Sequence, residues 1–359
     1  MNTNRLEKLL KKLEERDIPQ MLISDPYAIF YLTGRLIDPG ERLYVLYISQ
    51  SGRHRIFINN LFTVPEDLGV EKIRFGDTDD YLTLLCDWIE KGLPLGIDKN
   101  FPARFLLPVI EHSGASAFRL SSICVDELRA GKDEEERARM RTASALNDQA
   151  MARFRGLIQE GVTEAELASQ MLAIYKDLGA DDFSFEPLVG FGPNCAMGHH
   201  APDDTVLKPG DTVLFDVGCK KDGYCSDMTR TFFYQQVPSE KHREIYQLVR
   251  QANEAAEAIL KPGVPLCEVD RAARSVIEAA GYGPNFTHRL GHFIGLEVHE
   301  YGDVSSSNTA VAEPGNIFSI EPGIYVDGEL GVRIEDLVLI TEDGCEILNS
   351  YSKDLDIVE

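Results

Sequence analysis

The chain has 359 residues, with 36 Lys+Arg against 59 Asp+Glu, so it carries a formal charge of −23 at pH 7. That field makes nucleic acid and anionic membrane poor partners. Apolar residues make up 43% and charged residues 26%, enough to fill two cores, since a domain typically takes about 100–200 residues.

In chain order, the N-terminal stretch MNTNRLEKLLKKLEERD puts Leu6, Leu9, Leu10 and Leu13 on one helical face among charges. It reads as an amphipathic helix, neither a signal peptide nor a membrane span. No apolar run approaches the roughly 18 residues a membrane helix needs. Seven cysteines without a CxxC pair suit reduced thiols in a cytoplasm. Up to about residue 125, short apolar runs at 21–23, 29–32, 43–48 and 55–58 alternate with helical stretches such as 81–91, the pattern of an α/β unit. The run ELRAGKDEEERARMR then changes the composition: Gly131 breaks the chain, and Asp133 can cap a helix whose first turn is rich in Glu. The expected domains are therefore 1–127 and 128–359.

The second part contains a repeat. GVTEAELASQMLAIYKDLG at 161–179 aligns without gaps on GVPLCEVDRAARSVIEAAG at 263–281, with Glu166 and Glu268 at the same offset. Each copy follows a helical segment and precedes a histidine-bearing stretch and strand-like runs. This predicts two helix-helix-sheet halves related by a pseudo-twofold, with a ligand cleft between them.

Residues 212–233 form two β-rich runs joined by a Lys-Lys-Asp-Gly turn. With the turn near Lys221 and Asp222, Asp216 and Asp227 lie directly opposite; with the turn on Asp222-Gly223 they are diagonal on the same face. Like charges so placed repel, and a cation between them would account for the arrangement. In the second half, NIFSIEPGIYV ends a strand at Glu321, and GVRIEDLVLI reads as an alternating strand with Arg333 and Glu335 on one side. Asp336 points with Val332, Ile334 and Val338, where it is buried and paired or marks a face outside the core. His288, His292 and His299 fall in the glycine-punctuated run THRLGHFIGLEVHE. Four carboxylates and a neutral imidazole form a hard, oxygen-rich set for Mn²⁺, Fe²⁺, Co²⁺ or Zn²⁺, and their four negative charges match two divalent ions. Cys195, Cys219 and Cys225 read as buried thiols outside any thiolate cage.

The ordered motifs LFDVG, YCSDMTRTF, HRLGHFIGLEVHE, SIEPGIY and GVRIED resemble the pita-bread metallopeptidases, which include aminopeptidase P, prolidase, methionine aminopeptidase and the metal-free creatinase. The resemblance implies a two-domain α/β chain: a creatinase-like N-terminal α/β domain and a C-terminal α+β pita-bread domain. It implies Asp216, Asp227, His292, Glu321 and Glu335 as ligands of two divalent metal ions, Mn²⁺ first among the candidates, with Asp227 and Glu335 contacting both. Glu321 would also serve as general base. His199, after Gly198 where the family usually has Pro, matches the residue that stabilises the oxyanion or shuttles a proton. His288, His299 and Arg333 resemble substrate-side residues. The implied reaction is hydrolysis of the bond between an N-terminal residue and proline, by a homodimer acting on short peptides. In HEYGDV the arginine that several prolidases carry after HE is absent, and Arg333, Arg35 or Arg42 are the stand-ins the sequence offers. The alternatives are methionine aminopeptidase, whose chains generally lack this N-domain; a metal-free creatinase-type hydrolase, against which all five ligand positions are filled; and a binding module that has lost ligands.

Overall fold

A computed structural model describes residues 1–198 and 200–359. The chain divides into two compact units, Met1–Arg129 and Ala130–Glu359.

Among the described residues the first unit holds a six-stranded mixed sheet, in the order Glu71–Phe75, Arg55–Asn59, Tyr44–Ser49, Gln20–Ile23, Pro94–Ile97, Ala117–Leu120. Leu22, Val45, Tyr47, Phe57 and Leu95 turn from it into a core shared with Phe105 and Val109 of the helix Ala103–His112. The N-terminal helix spans Thr3–Glu14 and buries Leu9 and Leu13, half of the predicted stripe. The apolar run at 29–32 is not a strand. It lies in the helix Pro26–Thr33, because Asp25 accepts from the amides of Tyr27 and Ala28 and Pro26 sits in the first turn, a start signal that outweighs four apolar residues. The helix predicted at 81–91 ends early, at Cys86.

In the second unit the Asp133 side chain accepts from the Glu136 amide at 3.0 Å while Glu136 accepts from the Asp133 amide at 2.9 Å, a closed capping box that starts the helix Glu134–Arg155. The repeat is visible as two helix pairs. Glu134–Arg155 and Glu164–Leu178 pack Met151, Phe154, Leu167 and Met171 against Val213, Phe215 and Phe232. Glu240–Ala258 and Leu266–Ala279 pack Val249, Val269 and Ile277 against Phe318, Val332 and Val338. Both copies turn at a left-handed glycine, Gly179 (φ 94°) and Gly281 (φ 87°). Each half thus buries its own helix pair on its own strands, which is what a duplicated pita-bread domain requires.

In the first half, Leu188–Phe191, Thr212–Val217 and Met228–Tyr234 are antiparallel neighbours. The hairpin turns on Asp222 and Gly223, both with positive φ, which pairs Lys221 with Tyr224 and puts Thr229, not Asp227, opposite Asp216. The two aspartates are diagonal, the second of the predicted registers. In the second half, GVRIEDLVLI is not one strand. Leu330–Arg333 pairs with Gly323–Val326, Asp336–Ile340 pairs with Ile317–Ile320, and the chain changes partner at Ile334 and Glu335. The break has a tertiary cause: the Glu335 amide donates to the Thr229 carbonyl at 3.1 Å and the Thr231 hydroxyl donates to the Arg333 carbonyl at 2.9 Å. The second half's last acid is thereby stitched onto the first half's hairpin.

Candidate metal centre and substrate cavity

Asp216 is the next-to-last residue of the strand Thr212–Val217, Asp227 immediately precedes Met228–Tyr234, and Glu321 follows Ile317–Ile320. His292 sits in the short strand Gly291–His292, pressed so close to its neighbour that a Cβ at Gly291 would overlap the Ser319 carbonyl. All five sequence-predicted ligand residues line one cavity of about 930 Å³ within the second unit. Ligand-type atoms of Asp227, His292 and Glu335 lie within 4.8 Å of one another, and all three residues are buried. His292 Nε2 stands 3.5 Å from both Asp227 Oδ2 and Glu321 Oε1. That is longer than a good charge-assisted hydrogen bond. It matches the separation of roughly 3.4 Å expected for two donors that each sit about 2.1 Å from one ion.

Four predicted carboxylate ligands converge here, and Arg333 meets one of them, with Nη2 donating to Asp216 Oδ2 at 2.6 Å. Burial, then the charges of Asp216 and Glu321, push the Asp227 carboxyl well above its usual range. Burial, then Asp227 and Glu321, do the same to Glu335. Asp216 Oδ1 and Asp227 Oδ1 are buried and find no hydrogen-bond donor among the described residues. A buried carboxylate oxygen left unpaired costs about 1–3 kcal/mol or more. Oxygen donors facing a common space, one imidazole and excess negative charge fit hard divalent cations.

The surrounding side chains fix this set. Thr229, directly across the ladder from Asp216, donates its hydroxyl to Glu335 Oε2 at 2.7 Å and accepts from Arg333 Nε at 3.1 Å. Ser319 accepts from the His292 amide at 3.0 Å and donates to Glu321 Oε1 at 3.1 Å. Tyr325 accepts from Arg333 Nη1 at 2.9 Å, and its hydroxyl lies 2.9 Å from His288 Nε2. Burial lowers the His288 imidazole and raises the Tyr325 phenol. Sequence reasoning missed Thr229, Ser319 and Tyr325. A period-of-two reading from Asp227 would have found Thr229 on the same strand face.

Among the other predicted residues, His288, His299 and Arg333 line the cavity, and His299 packs edge-on to His292 with ring centroids 4.2 Å apart. Each nitrogen of the Arg333 guanidinium already donates to a protein oxygen. Arg42 is held by Asp77 within the first unit, through bonds of 2.9 and 3.0 Å. His199 lies outside the described residues. Asp336 is buried and paired, with Arg230 at 2.7 Å and Lys353 at 2.8 Å. The thiols of Cys195 and Cys225 are pushed by burial up to about 12 and that of Cys219 to about 11, as inert packing groups would be. A second group of ligand-type residues, Glu164, His200 and Asp203, lies beside the cavity, and of the three His200 lines it.

Among the described residues, no helix is long and apolar enough to cross a membrane. Residues 138–342 match the model of metallopeptidase family M24, and residues 5–130 match the creatinase/prolidase N-terminal domain. An uncharacterized peptidase of Staphylococcus aureus strain USA300 is 35% identical over 357 residues, covering 97% of this chain and 99% of its own. The crystal structure of a dipeptidase from Pyrococcus horikoshii OT3 is similar at a TM-score of 0.93 with 34% identity, over 99% of this chain and 100% of that one. A recombinant prolidase from Thermococcus sibiricus is also similar, at a TM-score of 0.93 with 32% identity over 100% of both chains. The chain belongs to metallopeptidase family M24, in the branch that carries a creatinase/prolidase N-terminal domain.

Proposed function

We propose that this protein is a Xaa-Pro exopeptidase that uses two divalent metal ions, Mn²⁺ first among the candidates, to cleave the bond between an N-terminal residue and proline. One observation carries the reading: five donor residues from both halves of the second unit converge in one cavity, with buried carboxylate oxygens of Asp216 and Asp227 left without donors among the described residues. Asp216, Asp227, His292, Glu321 and Glu335 would hold the ions, with Asp227 and Glu335 shared between them. Bound there, the ions would polarise the peptide carbonyl and lower the pKa of the attacking water.

The chain's own groups do the rest. Glu321, with Oε1 held by Ser319, takes the proton of the attacking water and returns it to the departing proline nitrogen. That nitrogen leaves as a secondary amine and must be protonated, because a tertiary X-Pro amide has no N–H of its own. His199 stabilises the developing oxyanion or relays a proton. His288 and His299 face the substrate, and Arg333 acts there with the Tyr325 hydroxyl that it holds. The dipeptidase and prolidase among the similar structures support a short substrate. The chain works in the cytoplasm as a homodimer, which sedimentation of the purified protein checks.

The deciding assay adds Mn²⁺, Co²⁺ or Zn²⁺ to stripped protein and offers Ala-Pro, Ala-Pro-Ala and Met-Ala. Cleavage of the X-Pro bond with Met-Ala left intact is expected. Release of Met from Met-Ala with both proline peptides intact would favour a methionine aminopeptidase, and full activity after exhaustive chelation would favour a metal-free hydrolase.

A further inference from the structure

Glu164 is the first residue of the helix Glu164–Leu178, and it is completely buried. Its carboxylate is the hub of the segment that runs from the strand Leu188–Phe191 along the cavity wall. Oε1 accepts from the Phe191 amide at 2.7 Å and from Asn194 Nδ2 at 2.9 Å. Oε2 accepts from the Asp203 amide at 3.2 Å and faces His200 Nε2 at 2.5 Å. With both oxygens already saturated by N–H donors, this group is not a further metal site, although Glu164, His200 and Asp203 are close enough for one.

The duplication supplies an internal control. In the second copy the position equivalent to Glu164 is Leu266, also the first residue of its helix and 2% exposed. Packing at the start of this helix therefore does not require an acid. Burying a carboxylate costs several kcal/mol before its hydrogen bonds offset the loss, and Leu266 avoids that cost altogether. What distinguishes the first half is the segment that Glu164 holds. Ala196, Gly198, His200 and Pro202 of that segment line the substrate cavity.

His200 is the point where the hub meets the cavity. Its side chain is 7% exposed. In the neutral imidazole, the proton given to Glu164 sits on Nε2, which leaves Nδ1 as an acceptor. Nδ1 has no partner among the described residues. We propose that His200 Nδ1 accepts a hydrogen bond from the terminal amino group of the bound peptide, the one N–H donor that Ala-Pro offers, and that Glu164 is the positioning residue that fixes the tautomer and orientation for it. The inference rests on the peptidase reading but concerns residues outside the metal centre.

The test uses full-length, metal-loaded protein and the variants Glu164→Gln, His200→Asn and the double variant, with Ala-Pro as substrate. Glutamine at 164 can present an amide N–H to the imidazole, which moves the ring proton to Nδ1 and removes the acceptor. Each single variant should raise KM about tenfold, the equivalent of one hydrogen bond, with kcat and metal content little changed. The double variant should be no worse than either single one, because the two residues act as a unit. In protein labelled with ¹⁵N-histidine, a downfield imidazole N–H signal from the bond to Glu164 should be present in the wild type and absent from both single variants. An unchanged KM in His200→Asn, losses that multiply in the double variant, or no such signal in the wild type would overturn the proposal. Wild-type hydrolysis of Ala-Pro tests the peptidase reading separately, and the histidine signal tests the pair whatever that assay returns.

Discussion

Glu335 and Asp336 are adjacent in the chain, both are buried, and they face opposite electrostatic situations. Asp336 joins a network in which charges cancel. Arg230 donates to Asp336 Oδ1 at 2.7 Å and also to the carbonyls of Ser352, Thr229, Glu335 and Tyr351. Lys353 bridges Asp336 and Glu257 at 2.8 and 2.7 Å. Burial pushes the Asp336 carboxyl up, but Arg230 and Lys353 more than offset it and hold it below the usual range. One residue earlier, Glu335 looks into the cavity on which Asp216, Asp227 and Glu321 also converge, and burial with the charges of Asp227 and Glu321 drives its carboxyl up instead. The same stretch of backbone thus separates a region that neutralises its buried charge from one that leaves it in excess. A folding argument accounts for the first; the second makes sense when positive charge arrives from outside the polypeptide.

The contrast is sharpest at Asp227. Asp227→Ala should abolish both bound metals and turnover, read by elemental analysis and an Ala-Pro assay, and two ions retained per chain would refute its shared role. Asp227→Asn should leave the metal-free protein as stable as the wild type or more so, because it relieves repulsion, whereas Arg230→Met should destabilise by roughly 3–5 kcal/mol in urea unfolding, since it leaves Lys353 alone to offset the buried Asp336 and Glu257 and removes the donor to four carbonyls. Equal behaviour of those two variants would erase the distinction between the regions.

His199→Ala should lower kcat about 100-fold with metal content intact, a typical loss for a proton-transfer or oxyanion group. An unchanged kcat would show that Gly198, in place of the family's usual proline, has displaced the histidine. The smallest expected effect is a pH dependence inside the balanced network. Burial and the charge of Asp336 raise Glu257 to about 7, against the pull of Lys353. A carboxyl raised in the native state binds its proton more tightly there than in the unfolded chain. Its contribution is complete below the ordinary carboxyl pKa and is lost as pH rises through about 7. The stability of the wild type relative to Glu257→Gln should therefore fall between about pH 4.5 and pH 7, which melts across that window would show.

The sequence made the convergence of Asp216, Asp227, His292, Glu321 and Glu335 on one cavity legible because acids at or near strand ends and a glycine-flanked histidine are local signals, and five motifs in order left little freedom. The capping box at Asp133 and the repeated helix were legible for the same reason. Thr229 and Tyr325 were not, since a threonine and a tyrosine on β segments look like ordinary sheet residues until a partner 106 residues away for Thr229, or His288 for Tyr325, is in place. The break at Glu335 was hidden because its cause is a hydrogen bond to Thr229 in the other half. Glu164 aligned with a leucine in the repeat, so the difference that carries the further inference was visible as a mismatch while its meaning needed the fold. The run at 29–32 misled because four apolar residues fit either period, and the start signal at Asp25 and Pro26 settled it.

The most direct test is calorimetric titration of chelator-stripped protein with Mn²⁺, followed by elemental analysis after dialysis. The account predicts two ions per chain, a higher melting temperature on loading, and loss of both effects in Asp227→Ala. A stripped protein that takes up no divalent ion, or whose melting temperature ignores it, would contradict the claim that external cations balance this cluster of acids.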